Sequence, residues 1–318
     1  MLRAGALFVK AGVTDPVFCR LASMWTSGGQ SYLTRPAPSW LRWPVLLACA
    51  GVAIYLLKSA AADFSLHDVD AYWNAALRIR HGEPIYLATT DIQHFDVYRY
   101  APWFAYAWVP LTYLPREAVD AVWFGLLLGA SLAVSAGAAR RGVFGIGLAL
   151  LLGPLLVWTA VLGNVHPLVV ASLFFGVERR SGPIWIALAA SLKAAPIVLI
   201  LVYLGRREWV RAGMTLIVFA LLVAPMLWLP GYTADPGLTL SLYGWVPVLY
   251  FAVALIAMIG AFALAKTRWA WLAGALAIVA TLPRLWIYDL SFLLLGTRST
   301  TGGGLVSGSR DETSPRPG

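Results

Sequence analysis

Five long apolar stretches, each long enough to cross a lipid bilayer, constrain the fold of this 318-residue chain more than any other feature. A transmembrane helix needs about 20 consecutive apolar residues. Only 12% of the residues are charged, whereas soluble proteins carry about 25%. We therefore predict an all-α polytopic membrane protein and exclude a large soluble catalytic domain. The stretches are residues 44–62, 118–139, 143–162, 209–229 and 243–265.

Five further apolar runs are too short to cross about 30 Å of hydrocarbon as single straight helices. Irregular backbone is tolerated at membrane depth where protein or a water-filled cavity covers it. We therefore predict short or broken helices around a cavity, and about ten transmembrane segments in all between residues 44 and 297. The short runs are residues 165–177, 183–192, 195–205, 269–283 and 285–297.

Clusters of lysine and arginine separate the apolar runs and predict the orientation of the chain. If all ten runs cross, these clusters fall on one side, which is the cytoplasmic side in membrane proteins. Both termini are then cytoplasmic, and the net charge of +9 is a topology signal rather than a sign of nucleic-acid binding. The clusters are Arg140 with Arg141, Arg179 with Arg180, Arg206 with Arg207 and Arg211, Lys266 with Arg268, and the tail from Arg298.

The two ends of the chain differ in composition from the membrane part. Residues 1–43 have no continuous apolar region ending in a cleavage site, so we expect a cytoplasmic lead-in without a cleaved signal peptide. An alternative is that translation begins at Met24. Residues 298–318 are rich in Gly, Ser and Pro and are predicted to be a disordered cytoplasmic tail.

The longest outer segment, residues 63–117, collects carboxylates and histidines and is where chemistry is expected. Asp70 to Arg80 alternates aromatic and aliphatic residues with polar ones, as does a helix lying on a membrane surface. Gly82 then ends it. A second interfacial helix is predicted over Tyr100 to Leu114, which is rich in Trp and Tyr.

Asp68 stands at the outer mouth, directly before the first surface helix. A carboxylate beside an apolar cavity has a raised proton affinity and can take a proton from a hydroxyl, as a general base does. The alternative is a solvated loop aspartate or a helix N-cap.

Asp68 and Asp70 also form a short DxD pattern with other acidic residues and histidines nearby. Oxygen-rich clusters suit Mg²⁺ or Mn²⁺. Acidic residues are common in outer loops, however, so no metal site is predicted and a divalent ion stays an alternative. The neighbouring residues are His67, His81, Asp91, His94 and Asp96.

Several ionisable residues interrupt the apolar runs at their outer ends. His166 follows Gly163 and Asn164, Lys193 separates two short runs, and Arg284 precedes Tyr288 and Asp289. Such residues are costly in a membrane and usually mark a site. Alternatively, Lys193 or Arg284 alone could extend to the membrane surface, and His166 alone could be a capped loop histidine. On the same side as Asp68, the three cations predict a phosphate pocket beside a base.

Four blocks of the sequence resemble the polyprenyl-phosphate-dependent glycosyltransferases of family 87, in the GT-C class. Their order and spacing carry the resemblance, which covers residues 63–297. The blocks are Asp68 to Tyr86; Tyr100 to Pro102 with Pro110 to Pro115 and Ala118 to Trp123; Gly163 to Leu168; and Ala187 to Pro196 with Arg206 and Arg207.

The resemblance implies a GT-C-like bundle that transfers one sugar, with inversion, from a polyprenyl-phosphate donor to a lipid or glycan hydroxyl at the outer face of the bacterial cytoplasmic membrane. Asp68 would then be the catalytic base. His166, Lys193 and Arg284 would bind the donor phosphate, and no cofactor is implied. The residues expected to orient the substrates are Asp70, Tyr72, Asn164, Tyr288 and Asp289.

Two other functional classes remain open at this point. A transporter or flippase of lipids would need ionisable residues along a path through the bilayer, but here they gather at the outer edge. A non-catalytic membrane scaffold would tolerate the loss of Asp68, His166 and Lys193 together.

Overall fold

The computed structural model describes residues 39–60, 66–87, 97–229 and 242–298, and every regular element in these ranges is a helix. The prediction of an all-α protein is confirmed for this part of the chain. The described ranges hold twelve α-helices: α1 Arg42–Ala60, α2 His67–His81, α3 Pro102–Trp108, α4 Arg116–Ala139, α5 Val143–Val161, α6 His166–Gly176, α7 Gly182–Leu192, α8 Ile200–Gly205, α9 Trp209–Val223, α10 Leu242–Trp245, α11 Pro247–Ala263 and α12 Ala270–Ala280.

Short 3₁₀ helices join or extend several of these elements. Val109–Tyr113 continues α3, because Pro110 has no N–H with which to continue the α-helical pattern. Ala195–Leu199 leads into α8, and Ala224–Leu227 extends α9. The other two described 3₁₀ helices are Ser39–Leu41 and Ile287–Thr297.

Three helices are long and apolar enough to cross a membrane: α4, α5 and α9 with its 3₁₀ extension to Leu227. Seven shorter apolar helices accompany them in the described ranges. Large apolar side chains are exposed on the surface of the helices; for example, Val210 is 77% exposed and Val248 is 80% exposed. Such a surface suits contact with lipid. The chain is therefore membrane-associated, whereas a bundle in which all ten predicted runs cross stays a prediction.

Small residues bring the first spans close together. A Cβ atom on Gly153 of α5 would lie 2.7 Å from Ser135 Oγ of α4 and 3.0 Å from Cys49 Sγ of α1. Glycine is therefore required for the close approach of these three helices, as is common where helices pack inside a membrane.

The two helices predicted in the outer segment are present as α2 and α3. Gly82, with φ of 72°, ends α2 in the left-handed region that favours glycine. The ring of Tyr72 in α2 packs against Phe104 and Trp108 of α3 and Trp123 of α4, with centroids 5.0–6.0 Å apart. This aromatic cluster fixes α2 above the spans.

The short apolar runs fold as predicted, into short helices whose ends surround a cavity. The breaks that matter are the α5–α6 turn, the extended residue Lys193 after α7, and the segment between α12 and Ile287–Thr297. Polar side chains at these breaks can face the cavity, whereas the same side chains in the middle of a span would face lipid. Terminal segments were predicted over residues 1–43 and 298–318, and of these residues 1–38 and 299–318 lie outside the described ranges.

Candidate active site

A cavity of about 750 Å³ lies where the N-terminal turn of α2 meets the ends of the short helices. Ligand sites usually enclose about 300–1,000 Å³. Charged and aromatic side chains form one part of its wall, and Ala195, Ile197, Val198, Leu282 and Pro283 form an apolar part. The polar and aromatic lining residues include Asp68, Arg99, Tyr100, Trp158, Asn164, Lys193, Arg284, Trp286, Tyr288 and Asp289.

Asp68 sits in the first turn of α2 and faces this cavity. Its backbone N–H donates to the carbonyl of Leu162 at 3.1 Å, and its Oδ2 accepts a hydrogen bond from Asn164 Nδ2 at 2.9 Å. The N-cap position of α2 is Leu66. The interpretation of Asp68 as a helix N-cap is therefore wrong, and its carboxylate is half-buried rather than free in solvent.

Gly163 makes the contact between α2 and the α5–α6 turn possible. Its φ of 76° lies in the left-handed region, and a Cβ atom there would be 2.7 Å from Val69 Cγ2 and 3.0 Å from Leu66 Cβ. The carbonyl of Gly163 accepts a hydrogen bond from Trp123 Nε1 at 2.9 Å. Any side chain at this position would push Asp68 away from the turn.

The surroundings of Asp68 favour a carboxyl that can both hold and release a proton. Burial raises the pKa of the Asp68 carboxyl above its ordinary value. The hydrogen bond from Asn164 lowers that pKa again in part, as do the charges of Lys193, His67 and Arg99. A carboxylate with these properties is suited to act as a general base.

Lys193 and Asp289 form a buried ion pair in the wall of the same cavity. Lys193 Nζ donates to Asp289 Oδ1 at 3.1 Å, and Asp289 Oδ2 accepts the backbone N–H of Trp286 at 3.0 Å. The exposed side-chain fractions are 16% for Lys193 and 3% for Asp289. Both carboxylate oxygens of Asp289 are thus bonded to the protein, and Asp289 fixes the ammonium group against the ring of Tyr288, 4.6 Å away.

Arg284 is held by an aromatic ring and keeps its donors available. Its guanidinium carbon lies 4.3 Å from the ring centre of Trp286, which stacks on Tyr288 at 6.1 Å and 8° between planes. Within the described ranges its side chain makes no hydrogen bond or ion pair. An arginine with five unused N–H donors in a cavity is suited to bind a phosphate or carboxylate.

Arg99 is a cavity residue that the sequence analysis did not select. It is exposed, it lines the same cavity, and its charge acts on Asp68. It also lacks a side-chain partner among the residues that the structure describes. Its position next to Tyr100, at the start of the second resemblance block, is the only sequence signal that could have indicated it.

Three of the predicted site residues, His166, Tyr72 and Asp70, do not line the cavity. His166 is fully buried, and its Nε2 lies 2.8 Å from Ser291 Oγ and 3.2 Å from the carbonyl of Tyr288. Tyr72 is buried beneath the cavity floor, where its hydroxyl accepts the backbone N–H of Val165 at 3.2 Å. These two residues support the wall from behind.

Asp70 points away from Asp68, because residues two positions apart on a helix face different directions. Its carboxylate accepts a hydrogen bond from Arg116 Nη2 at 2.7 Å. The DxD pattern therefore does not converge on one point.

No group of three His, Cys, Asp or Glu side chains suited to a metal ion occurs among the described residues. Asp91, His94 and Asp96, which belong to the sequence pattern considered for a metal, lie outside the described ranges.

Comparison of the chain with family models, curated proteins and solved structures finds no match.

Proposed function

We propose that this protein is an integral membrane glycosyltransferase that moves one sugar from a polyprenyl-phosphate carrier to a hydroxyl of a lipid or glycan acceptor. The observation that carries the proposal is one cavity that is lined by Asp68 and by the cations Lys193 and Arg284. A transferase of this class needs a base for the acceptor and positive charge for the departing phosphate. The resemblance to family 87 described above agrees with this assignment.

The chemical step follows from the positions of the base and the cations. The Asp68 carboxylate takes the proton of the acceptor hydroxyl while that oxygen attacks the anomeric carbon of the donor. The new bond joins the acceptor oxygen to the anomeric carbon, and the bond from that carbon to the phosphate oxygen breaks. The electron pair stays on the phosphate, and the attack from the opposite side inverts the anomeric configuration.

Lys193 and Arg284 stabilise the charge that develops on the leaving phosphate. Lys193 is fixed by Asp289, and Arg284 is fixed by Trp286, so neither cation has to be ordered during the reaction. Prearranged donors of this kind lower a barrier by about 3–4 kcal/mol each. Arg99 adds a third positive charge near Asp68. His166 acts indirectly in this proposal, by supporting the backbone of Tyr288.

The remaining wall suits the rest of the donor. Trp158, Trp286 and Tyr288 give the cavity an aromatic lining beside which a sugar ring can pack. The apolar residues Ile197, Val198 and Leu282 provide a surface for the first isoprene units. Because polyprenyl carriers lie in the membrane, a cavity among short apolar helices is a suitable place for the reaction. We place the site at the outer face of the bacterial cytoplasmic membrane, with both termini cytoplasmic.

The proposal is tested by transfer of radiolabelled sugar from polyprenyl phosphate to endogenous lipids in membranes that contain the protein. Asp68→Asn keeps the size of the side chain but cannot accept the proton. Loss of a general base costs about 10²–10⁴-fold in rate. We therefore expect transfer to fall by at least about 100-fold at an unchanged amount of folded protein in the membrane.

Glu83→Gln is the matched control, because Glu83 is an exposed carboxylate just after α2 that does not line the cavity. It should retain transfer. Unchanged transfer in Asp68→Asn would overturn the assignment of the base. Translocation of lipid by the purified wild-type protein without any transfer of sugar would instead favour the transporter alternative.

A further inference from the structure

Asn164 joins the α5–α6 turn to the carboxylate of Asp68. Its two hydrogen bonds determine which side of its amide group is the oxygen and which is the nitrogen. Its Oδ1 accepts the backbone N–H of His166 at 2.9 Å. Because a backbone N–H can only donate, the amide atom that faces it must be the oxygen. The amide nitrogen is then directed to Asp68 Oδ2, 2.9 Å away, where it can only donate.

This arrangement leaves one oxygen of Asp68 for a substrate. Asp68 Oδ2 is bonded to Asn164, whereas Oδ1 has no hydrogen bond among the described residues. The backbone of Asp68 is held separately by Leu162, so Asn164 determines the rotation of the carboxylate rather than the position of the helix. A base must present a lone pair to the proton that it removes, within about 2.6–3.2 Å.

We propose that Asn164 is a positioning residue, which holds Asp68 Oδ2 and turns Oδ1 toward the acceptor hydroxyl. This role differs from direct contact between Asn164 and a substrate. It rests on the proposed function for its catalytic meaning, but the bond between Asn164 and Asp68 can be tested without any substrate.

A hydrogen bond donated to a carboxylate stabilises the ionised form, so its loss makes the carboxyl hold its proton to higher pH. Other groups also act on Asp68, and they remain in place when only residue 164 is changed. They are His67, Tyr72, Arg99, Tyr100, Lys193 and Tyr288.

The test uses the full-length protein in membranes and dicyclohexylcarbodiimide, an apolar reagent that modifies protonated carboxyl groups. Labelling of the peptide that contains Asp68 is followed by mass spectrometry as a function of pH. Asn164→Ser keeps an acceptor for the His166 N–H, because serine forms the same type of turn more weakly, but its side chain cannot reach Asp68. The pH midpoint of labelling should rise by about one unit.

Asn164→Asp provides a second variant of nearly identical shape. It also retains an acceptor for His166, but it places a like charge beside Asp68, so the midpoint should rise at least as far. Asp68→Asn removes the label and identifies the site. Trp123→Phe is the structural control, because it removes the bond from Trp123 Nε1 to Gly163 in the same turn and touches neither carboxylate oxygen. Its midpoint should equal that of the wild type.

An unchanged midpoint in Asn164→Ser and Asn164→Asp overturns the proposal, and an equal shift in Trp123→Phe does so too, since it would show a general effect of the turn. In transfer assays, Asn164→Ser should lower kcat about tenfold with the KM for the donor unchanged, and it should move the acid limb of the pH profile upward. If transfer depends on Asp68 but Asn164→Ser behaves as wild type, the inference fails while the proposed function stands. If the wild type transfers no sugar but the labelling midpoint moves as expected, the proposed function fails while the contact stands.

Discussion

The two ends of helix α6 both carry charged clusters, but the side chains in these clusters are used in different ways. The helix begins at His166, beside the cavity, and ends at Gly176, where Arg211 donates to the carbonyls of Val177 and Arg179 at 3.0 and 2.7 Å. Arg211 also pairs with Glu208 at 2.8 Å. At this basic end, arginines are bonded to backbone carbonyls and glutamates of the protein itself.

The other charged residues of the basic end are also bonded to the protein itself. Arg206 Nε donates to the carbonyl of Ala265 at 2.8 Å, and Glu178 accepts Trp271 Nε1 at 2.8 Å and lies 3.7 Å from Arg298 Nη2. At the cavity, by contrast, Arg284 and Arg99 have no side-chain partner among the described residues. Arg206 and Arg211 at the basic end therefore hold helices together through bonds to the protein itself, whereas Arg284 and Arg99 at the cavity keep donors available for a ligand.

The largest effect is expected for Lys193→Gln, because it removes one cation of the proposed phosphate site and leaves Asp289 buried without its partner. Loss of one member of a buried ion pair costs about 3–5 kcal/mol of stability, and loss of the cation should lower transfer by about 10²–10³-fold. Both the thermal midpoint in detergent and the specific activity are measured.

The double variant Lys193→Gln with Asp289→Asn separates these two effects. A neutral pair of similar size can form a hydrogen bond and leave no uncompensated charge, so the thermal midpoint should return most of the way to the wild-type value. Transfer should stay low. Recovery of transfer in the double variant would show that Lys193 acts only through the stability of the fold.

Arg211→Gln should affect stability but not chemistry. The change removes bonds to Val177, Arg179 and Glu208, and we expect a loss of about 2–3 kcal/mol. The specific activity per folded molecule should match the wild type in the transfer assay. Arg180→Gln, at an exposed arginine of the same end, is the control and should change neither quantity. Loss of transfer per folded molecule in Arg211→Gln would contradict the division between the two ends.

Arg284→Gln should have the smallest effect on the fold, because its described contact is the ring of Trp286. The KM for the donor should rise about tenfold, in line with the loss of one charge-assisted bond to phosphate. Thermal stability should change by less than about 1 kcal/mol. Arg268→Gln removes a similar arrangement over Trp269, 4.9 Å away, outside the cavity, and serves as the control. An unchanged KM would remove Arg284 from the phosphate site.

Much of the helical arrangement was predictable because it depends on local hydropathy. Each of the ten apolar runs overlaps a described helix, and Gly82 marks the end of α2 as expected. The lengths of the helices were less predictable, since only three described helices are long enough to cross a membrane by themselves. Helix ends depend on tertiary contacts that a hydropathy pattern does not contain.

The candidate site was predictable in its composition but not in its pairings. Lys193 and Asp289 were conspicuous as charges in apolar runs, yet their ion pair joins positions 96 residues apart. His166 was conspicuous for the same reason, but packing against Phe292 and hydrogen bonding to Ser291 place it behind the wall. Arg99 escaped attention because an arginine in a polar loop has no distinguishing sequence context.

We propose that the cavity performs the transfer while the basic end only stabilises the fold. The most direct measurement is the rate of sugar transfer per folded molecule for wild type, Asp68→Asn and Arg211→Gln, together with the thermal midpoint of each. We expect Asp68→Asn to keep its thermal midpoint and to lose at least about 100-fold in rate, whereas Arg211→Gln should lose stability and keep its rate. Transfer of sugar by Asp68→Asn at the wild-type rate would contradict the proposed role of the cavity.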